Sequence, residues 1–148
     1  MARKTAVYTM RRDGWNDYFE MHVSPTDKLM RNHAEEIAKR DGWGIQLEGW
    51  NETQGLVHPM SSISGPFAYM FLSEDSLRED IVAHECLHIA TSHERFVLRF
   101  GMDYGPQIGA DEERLAYFMT SVIRGVYDIL HEYKHIKPKT GRLYERTR

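Results

Sequence analysis

The chain has little of what a secreted or membrane-embedded protein usually contains. It has one cysteine, Cys86, which cannot form an intrachain disulfide, and such cysteine usage is typical of a reducing compartment. Its longest apolar runs, near residues 67–72 and 81–83, are far shorter than the ~18 residues that cross a bilayer. Residues 1–12 carry basic side chains without an apolar stretch behind them, which does not fit a secretory signal. These absences predict a cytoplasmic protein that does not use a membrane.

No charge of one sign dominates the whole chain. The net charge is −3 and the isoelectric point is near 6.2, which argues against a globally basic nucleic-acid binder. Residues 133–148 are the exception, with six Lys or Arg side chains and one Glu. This segment could contact phosphates or an acidic partner, but a solvated terminus is the simpler interpretation. We therefore predict one domain over residues 1–132, followed by a basic C-terminal tail over residues 133–148.

Composition and periodicity predict a small folded domain of mixed structure. At 148 residues, with 41% hydrophobic and 28% charged side chains, the chain can bury a real core. Strand-like and helical patterns alternate in the order β-β-α-β-β-α-α. The predicted elements are a hairpin of strands 5–11 and 18–23, helix 28–40, strands 45–50 and 65–72 joined by a loop with Gly, Ser and Pro, a helix that opens within residues 73–79 and runs to about residue 96 or beyond, loop 101–109 and helix 111–132. Ser76 and Glu79 have the spacing of a capping box at the start of the second helix. We expect an α+β fold, with an antiparallel or mixed sheet of about four strands packed on three helices.

One motif carries chemistry. His84-Glu85-Cys86-Leu87-His88 matches H-E-x-x-H. On a helix, residues four apart lie on one face, so both imidazoles can reach one metal ion. Glu85 would then project beside the metal, where it can accept a proton from a metal-bound water. The residues around the motif are apolar and free of proline, as a half-buried helix requires.

The segment 81–90 resembles the active-site helix of the zincin metallopeptidases. A weaker correspondence extends over residues 67–130, since zincins place an edge strand before this helix and often a ligand-bearing helix after it. The resemblance implies that His84 and His88 are zinc ligands and that Glu85 is the general base. Residues 67–72 could be that edge strand and bind an extended peptide, although an ordinary core strand fits equally well.

A third protein ligand is expected, because two histidines leave a tetrahedral zinc site incomplete. The metzincin continuation is absent: Thr91 stands at its glycine position and Glu94 at its last histidine position. His93 lies one residue too early, so we expect it to be a surface residue or to support the site indirectly.

Gluzincins instead take a glutamate from the following helix, and residues 111–117 look like that segment. They also resemble, loosely, the corresponding helix of the small ImmA/IrrE-type peptidases. Steps of three and four residues from Glu112 reach an apolar stripe that ends at Leu130, whereas steps from Glu113 reach a mixed surface. We therefore predict Glu112 as the third ligand, with small Ala116 allowing the helices to approach, and hold Glu113 in reserve. The alternative is that both acids simply favour the positive end of the helix.

The sequence thus predicts a zinc-dependent metallopeptidase that hydrolyses peptide bonds and takes a peptide or protein as its substrate. The alternative is a non-catalytic zincin-like module, with a structural metal or none, that binds a protein partner. A nucleic-acid-associated role for the tail is a third interpretation, opposed by the acidity of the rest of the chain. Tyr104, Tyr117 and His93 are candidate donors to the oxyanion. A small zincin of this kind suits a bacterium or a phage.

Overall fold

The computed structural model describes residues 4–11, 16–45, 47–61, 64–100 and 111–136, without the side chains of residues 98–100 and 111–112. Within these ranges the fold is α+β, a mixed four-stranded sheet with three helices, as the sequence predicts. The elements, in chain order, are β1 (Ala6–Arg11), β2 (Tyr18–Ser24), α1 (Asp27–Asp41), β3 (Gly55–Pro59), β4 (Ala68–Ser73), α2 (Glu79–Phe100) and α3 (Asp111–Glu132).

The sheet has the strand order β1-β2-β4-β3. The hairpin partners β1 and β2 are antiparallel, β2 and β4 are parallel, and β3 returns antiparallel to β4. Strand β4 lies between two neighbours and all six of its residues are buried, which is typical of a central strand covered on both faces. The segment 67–72 is therefore mostly central strand, and the strand at the edge next to it is β3.

Helices cover both faces of the sheet. Alternate residues of β4 point to opposite sides: Met70 packs against α2 and α3, while Phe71 packs against α1. The larger core lies on the side of α2 and α3, where both helices bury apolar stripes against β2 and β4. The candidate motif lies on α2, on this more deeply packed side.

Local signals explain where α1 begins and ends. Thr26 caps α1, because its hydroxyl accepts a hydrogen bond from the Leu29 amide at 3.1 Å. Gly42 ends α1 with a φ of +77°, a left-handed conformation that glycine adopts without strain. Helix α3 covers residues 111–132, the range predicted from periodicity. The predicted loop 101–109 lies outside the described residues.

Two local predictions are wrong. The described part of the predicted strand 45–50, residue 45 and residues 47–50, is not in a strand: Gly49 is left-handed at φ +73° and leads into a short 3₁₀ turn, Trp50–Glu52. The strand β3 lies instead in the stretch interpreted as a loop, and Pro59 is tolerated there because β3 is an edge strand. Ser76 does not form the predicted capping box, since its hydroxyl donates to Asp27 at 2.7 Å. Helix α2 accordingly begins at Glu79, after a 3₁₀ turn at Glu74–Ser76.

Candidate metal centre

Helix α2 presents the motif at the boundary between the core and solvent. Val82, Cys86 and Ile89 are fully buried against the sheet, and they fix the rotation of the helix. That rotation leaves His84 and His88 on the exposed side, one turn apart. The apolar positions between and around the histidines therefore aim both imidazoles in the same direction.

The two imidazoles converge as a metal pair would. The Nε2 atoms of His84 and His88 are 3.1 Å apart, and the rings meet edge to face. Two nitrogens bound tetrahedrally to one zinc ion, each about 2.0–2.1 Å away, would be separated by about 3.3 Å. Burial, together with the nearby His84 and Arg95, lowers the pKa of His88 and favours the neutral imidazole that binds metals. The pair fits a zinc ion.

Glu85 lies beside this pair and is buried. The residue is only 5% exposed, and its Oε1 is 4.0 Å from His84 Nε2. Its Oε2 has no hydrogen-bond partner among the described residues. Burial raises the pKa of the Glu85 carboxyl to about 7. A buried carboxyl with an unsatisfied oxygen is costly in an inert core, and it is typical of a group that acts on a ligand.

Strand β3 lies against the side chain of Glu85, and Gly55 is the residue of β3 that faces it. A Cβ built on Gly55 would lie 3.0 Å from Glu85 Cγ and 3.2 Å from its Cδ. The backbone of β3 and the side chain of Glu85 are therefore in direct contact. Sequence reasoning missed Gly55, because it belongs to a short segment without a clear strand pattern.

Cys86 takes no part in the exposed pair. It is fully buried on the core side of α2, and burial raises the pKa of its thiol to about 12. Helical phase predicts that Cys86 points away from the histidines, and its burial agrees with that prediction. Its thiolate is not available as a ligand at neutral pH.

The apolar stripe predicted on α3 is present, although one detail differs. Val122, Val126 and Leu130 are buried, and Thr120, Arg124 and Asp128 are exposed. Ala116 is exposed, so the prediction that it lets the helices approach is wrong.

No acidic side chain that the structure describes on α3 forms a metal-binding group with the histidines. Glu113 is exposed, and the side chain of Glu112 lies outside the description. Arg114 donates to the Glu94 carboxylate at 2.6 and 2.7 Å, so the first turn of α3 lies beside Glu94. Glu94 is six residues beyond His88 on α2, or about 9 Å along the helix axis. The structure thus brings His84, Glu85 and His88 together, and Glu112 as third ligand stays a prediction.

His93 belongs to the core and not to the surface. It is 4% exposed, its Nε2 lies 2.5 Å from Asp17 Oδ2, and its ring stacks on Phe118 at 4.0 Å. These contacts tie α2 to the start of β2 and to α3. Of the other candidate oxyanion donors, Tyr117 is 71% exposed on α3, and Tyr104 lies outside the described residues.

Comparison with protein-family models, with curated proteins and with solved structures gives no match. Among the side chains that the structure describes, no three His, Cys, Asp or Glu residues form a group able to hold a metal ion. Within the same ranges, none of the helices has the length and apolar character needed to span a membrane. The resemblance to zincins therefore stays a prediction from the sequence of residues 81–90.

Proposed function

We propose that this protein is a zinc-dependent metallopeptidase that hydrolyses peptide bonds in a peptide or protein substrate. One observation carries the proposal: a buried carboxyl with an unsatisfied oxygen stands next to two converging imidazoles on one helix. A helix stabilised only by packing has no need of that combination, because the unpaired oxygen of Glu85 opposes folding.

His84 and His88 would hold the zinc ion through their Nε2 atoms, with Glu112 as the predicted third ligand. When bound, zinc lowers the pKa of a coordinated water to ~7 and polarises the substrate carbonyl. Glu85 takes the proton of the attacking water on its carboxylate. It then donates this proton to the leaving amine nitrogen, which leaves the carboxylate ready for the next cycle.

The surroundings of Glu85 suit this exchange of protons. A general base is most effective when its pKa lies near the working pH, and burial raises the pKa of Glu85 to about 7. Little water reaches the carboxyl, because Glu85 is only 5% exposed beneath β3 and the sheet. The histidines lie on the exposed face, where an extended substrate can reach them.

We place this activity in the cytoplasm. The only cysteine is free and buried, and no part of the proposed chemistry depends on a disulfide. The peptide or protein substrate follows from the reaction itself.

The decisive experiment combines metal analysis with proteolysis by the intact chain. We expect about one zinc per chain in protein purified without chelator, and cleavage of fluorescently labelled casein that a chelator abolishes. Glu85→Gln should keep zinc but lose about 10²- to 10⁴-fold in rate, because the amide cannot accept a proton. Glu79→Gln, which changes an exposed carboxyl on the same helix, is the matched control and should behave as wild type.

Three results would overturn the proposal. Wild-type protein that holds no zinc after reconstitution would remove the metal centre. A zinc-loaded Glu85→Gln protein that cleaves casein as fast as wild type would show that Glu85 is not the base. Zinc binding without cleavage of casein or of a peptide library would favour the protein-binding module instead.

A further inference from the structure

Gly55 is the first residue of the edge strand β3 and pairs with Leu72 of β4. Its φ is not in the left-handed region, so backbone conformation does not require glycine at this position. Glycine is needed there because a side chain on residue 55 would lack space. The nearest atoms to a Cβ at Gly55 are Glu85 Cγ at 3.0 Å, Cδ at 3.2 Å and Oε1 at 3.4 Å.

This contact distinguishes Gly55 from other glycines of the chain. Gly44 and Gly65 also lack a left-handed φ, and a Cβ at either would meet nothing within 4 Å. Among the glycines that the structure describes, only at Gly55 would the added carbon press on a side chain of the candidate centre. All three contacted atoms belong to Glu85.

Glu85 has little freedom to move away. It is 5% exposed, and its neighbour Cys86 is fully buried against the sheet, which fixes this turn of α2. A methyl group on residue 55 would therefore rotate the Glu85 side chain or separate β3 from α2. Overpacking of this kind forces side chains out of their preferred rotamers.

We propose that Gly55 is a positioning residue for the reaction: the missing side chain leaves the space that holds the Glu85 carboxyl beside His84 and His88. This inference rests on the proposed function, since a position matters to catalysis only if Glu85 transfers protons. The contact between residues 55 and 85 can be tested without any activity.

The first test compares Gly55→Ala with Gly44→Ala in the full chain. Gly55→Ala should retain zinc, because it touches neither histidine, and lose about a hundredfold in kcat on labelled casein, with KM changing less than threefold. The unfolding midpoint in urea should also fall, since an overpacked site lowers the folding constant by about tenfold. Gly44→Ala should change none of these quantities.

The second test removes the side chain that residue 55 would contact. Glu85→Ala deletes Cγ, Cδ and Oε1, which are the three atoms nearest to a Cβ at residue 55. In the Glu85→Ala background, adding Gly55→Ala should lower the folding constant by less than threefold. The two substitutions are then strongly coupled, as expected only for side chains that share one space.

The outcomes separate this inference from the proposed function. Additive effects on stability would show that residues 55 and 85 do not compete for space, and would overturn the inference whatever the activity. Coupling in stability with kcat unchanged in Gly55→Ala would also overturn it, because the contact would then be structural alone. Absence of zinc and of cleavage in wild type would refute the proposed function, and with it the catalytic part of the inference.

Discussion

Glu85 and Cys86 are adjacent on α2, and burial acts on both in the same direction. It disfavours the charged form, so the pKa of the carboxyl rises to about 7 and that of the thiol to about 12. The consequences differ because the ordinary pKa values differ. At neutral pH the thiol stays protonated and inert, whereas the carboxyl can both give and take a proton.

The reactivity of the Cys86 thiol therefore reports on the rotation of α2 against the sheet. We expect Cys86 in the native protein to react with Ellman's reagent at pH 8 more than about a thousandfold slower than a free cysteine, since only its thiolate reacts. The same chain in 6 M guanidinium should react at the rate of an unfolded peptide. Rapid reaction of the native protein would contradict the burial of Cys86 and the rotation assigned to α2.

The histidines allow a second prediction at the scale of single residues. His84→Ala and His88→Ala should each abolish stoichiometric zinc, and each should remove the rise in Tm that zinc gives the wild type. His131→Ala, an exposed histidine on α3, is the control and should retain both properties. In the presence of chelator, the Tm of His84→Ala should match that of wild type, because its ring is 66% exposed and contributes little packing. Calorimetry with and without zinc checks all three variants.

At the scale of elements, the long periodic segments could be predicted and the short ones could not. Helix α3 has six turns in which the apolar stripe repeats, so its bounds follow from the sequence. Strand β3 has five residues, of which only Leu56 is buried, and its pairing with β4 is what makes it a strand. The capping box at Ser76 does not form because the Ser76 hydroxyl donates to Asp27. This acceptor lies 49 residues away in the sequence, so no local pattern indicates it.

The candidate site also has residues that could be predicted from the sequence and residues that could not. Three residues within one helical pentad could be predicted, because helical spacing alone brings them together. Gly55 could not, since its contact with Glu85 depends on how β3 crosses α2. The third ligand depends on the register between two helices, and no local pattern contains that register.

Substitution of Glu112 tests whether α3 places this residue, and not Glu113, beside the histidines of α2. Glu112, unlike Glu113, shares the phase of the buried stripe, so we expect Glu112→Ala to weaken zinc binding at least tenfold more than Glu113→Ala. Competition with a chromogenic chelator measures both affinities. Equal affinities would mean that the Glu94–Arg114 pairing holds the first turn of α3 away from the histidines, and that the third donor lies elsewhere. A larger loss for Glu113→Ala would reverse the assignment.

Considered as a whole, the molecule buries titratable groups on both faces of its sheet. The pKa of Glu85 is raised on the α2 side. The pKa values of four described histidines are lowered, chiefly by burial, and these are His22, His33, His58 and His88. The two kinds of shift act oppositely on stability. The contribution of these histidines to the free energy of unfolding increases as the pH rises toward 6.5. The contribution of Glu85 decreases as the pH rises above 4.5.

The contribution of Glu85 can be isolated in zinc-free protein by comparing wild type with Glu85→Gln. Between its unfolded pKa near 4.5 and its folded pKa of about 7, the folded state binds the proton and the unfolded state does not, so stability falls as the pH rises. From pH 4.5 to pH 8, the free energy of unfolding of wild type should fall relative to Glu85→Gln by on the order of 3 kcal/mol. The histidines are common to both chains and cancel in the difference. Urea unfolding at half-unit pH intervals measures it. If this difference does not change with pH, the Glu85 carboxyl is solvated in the folded protein, and its packing under β3 does not shield it from water.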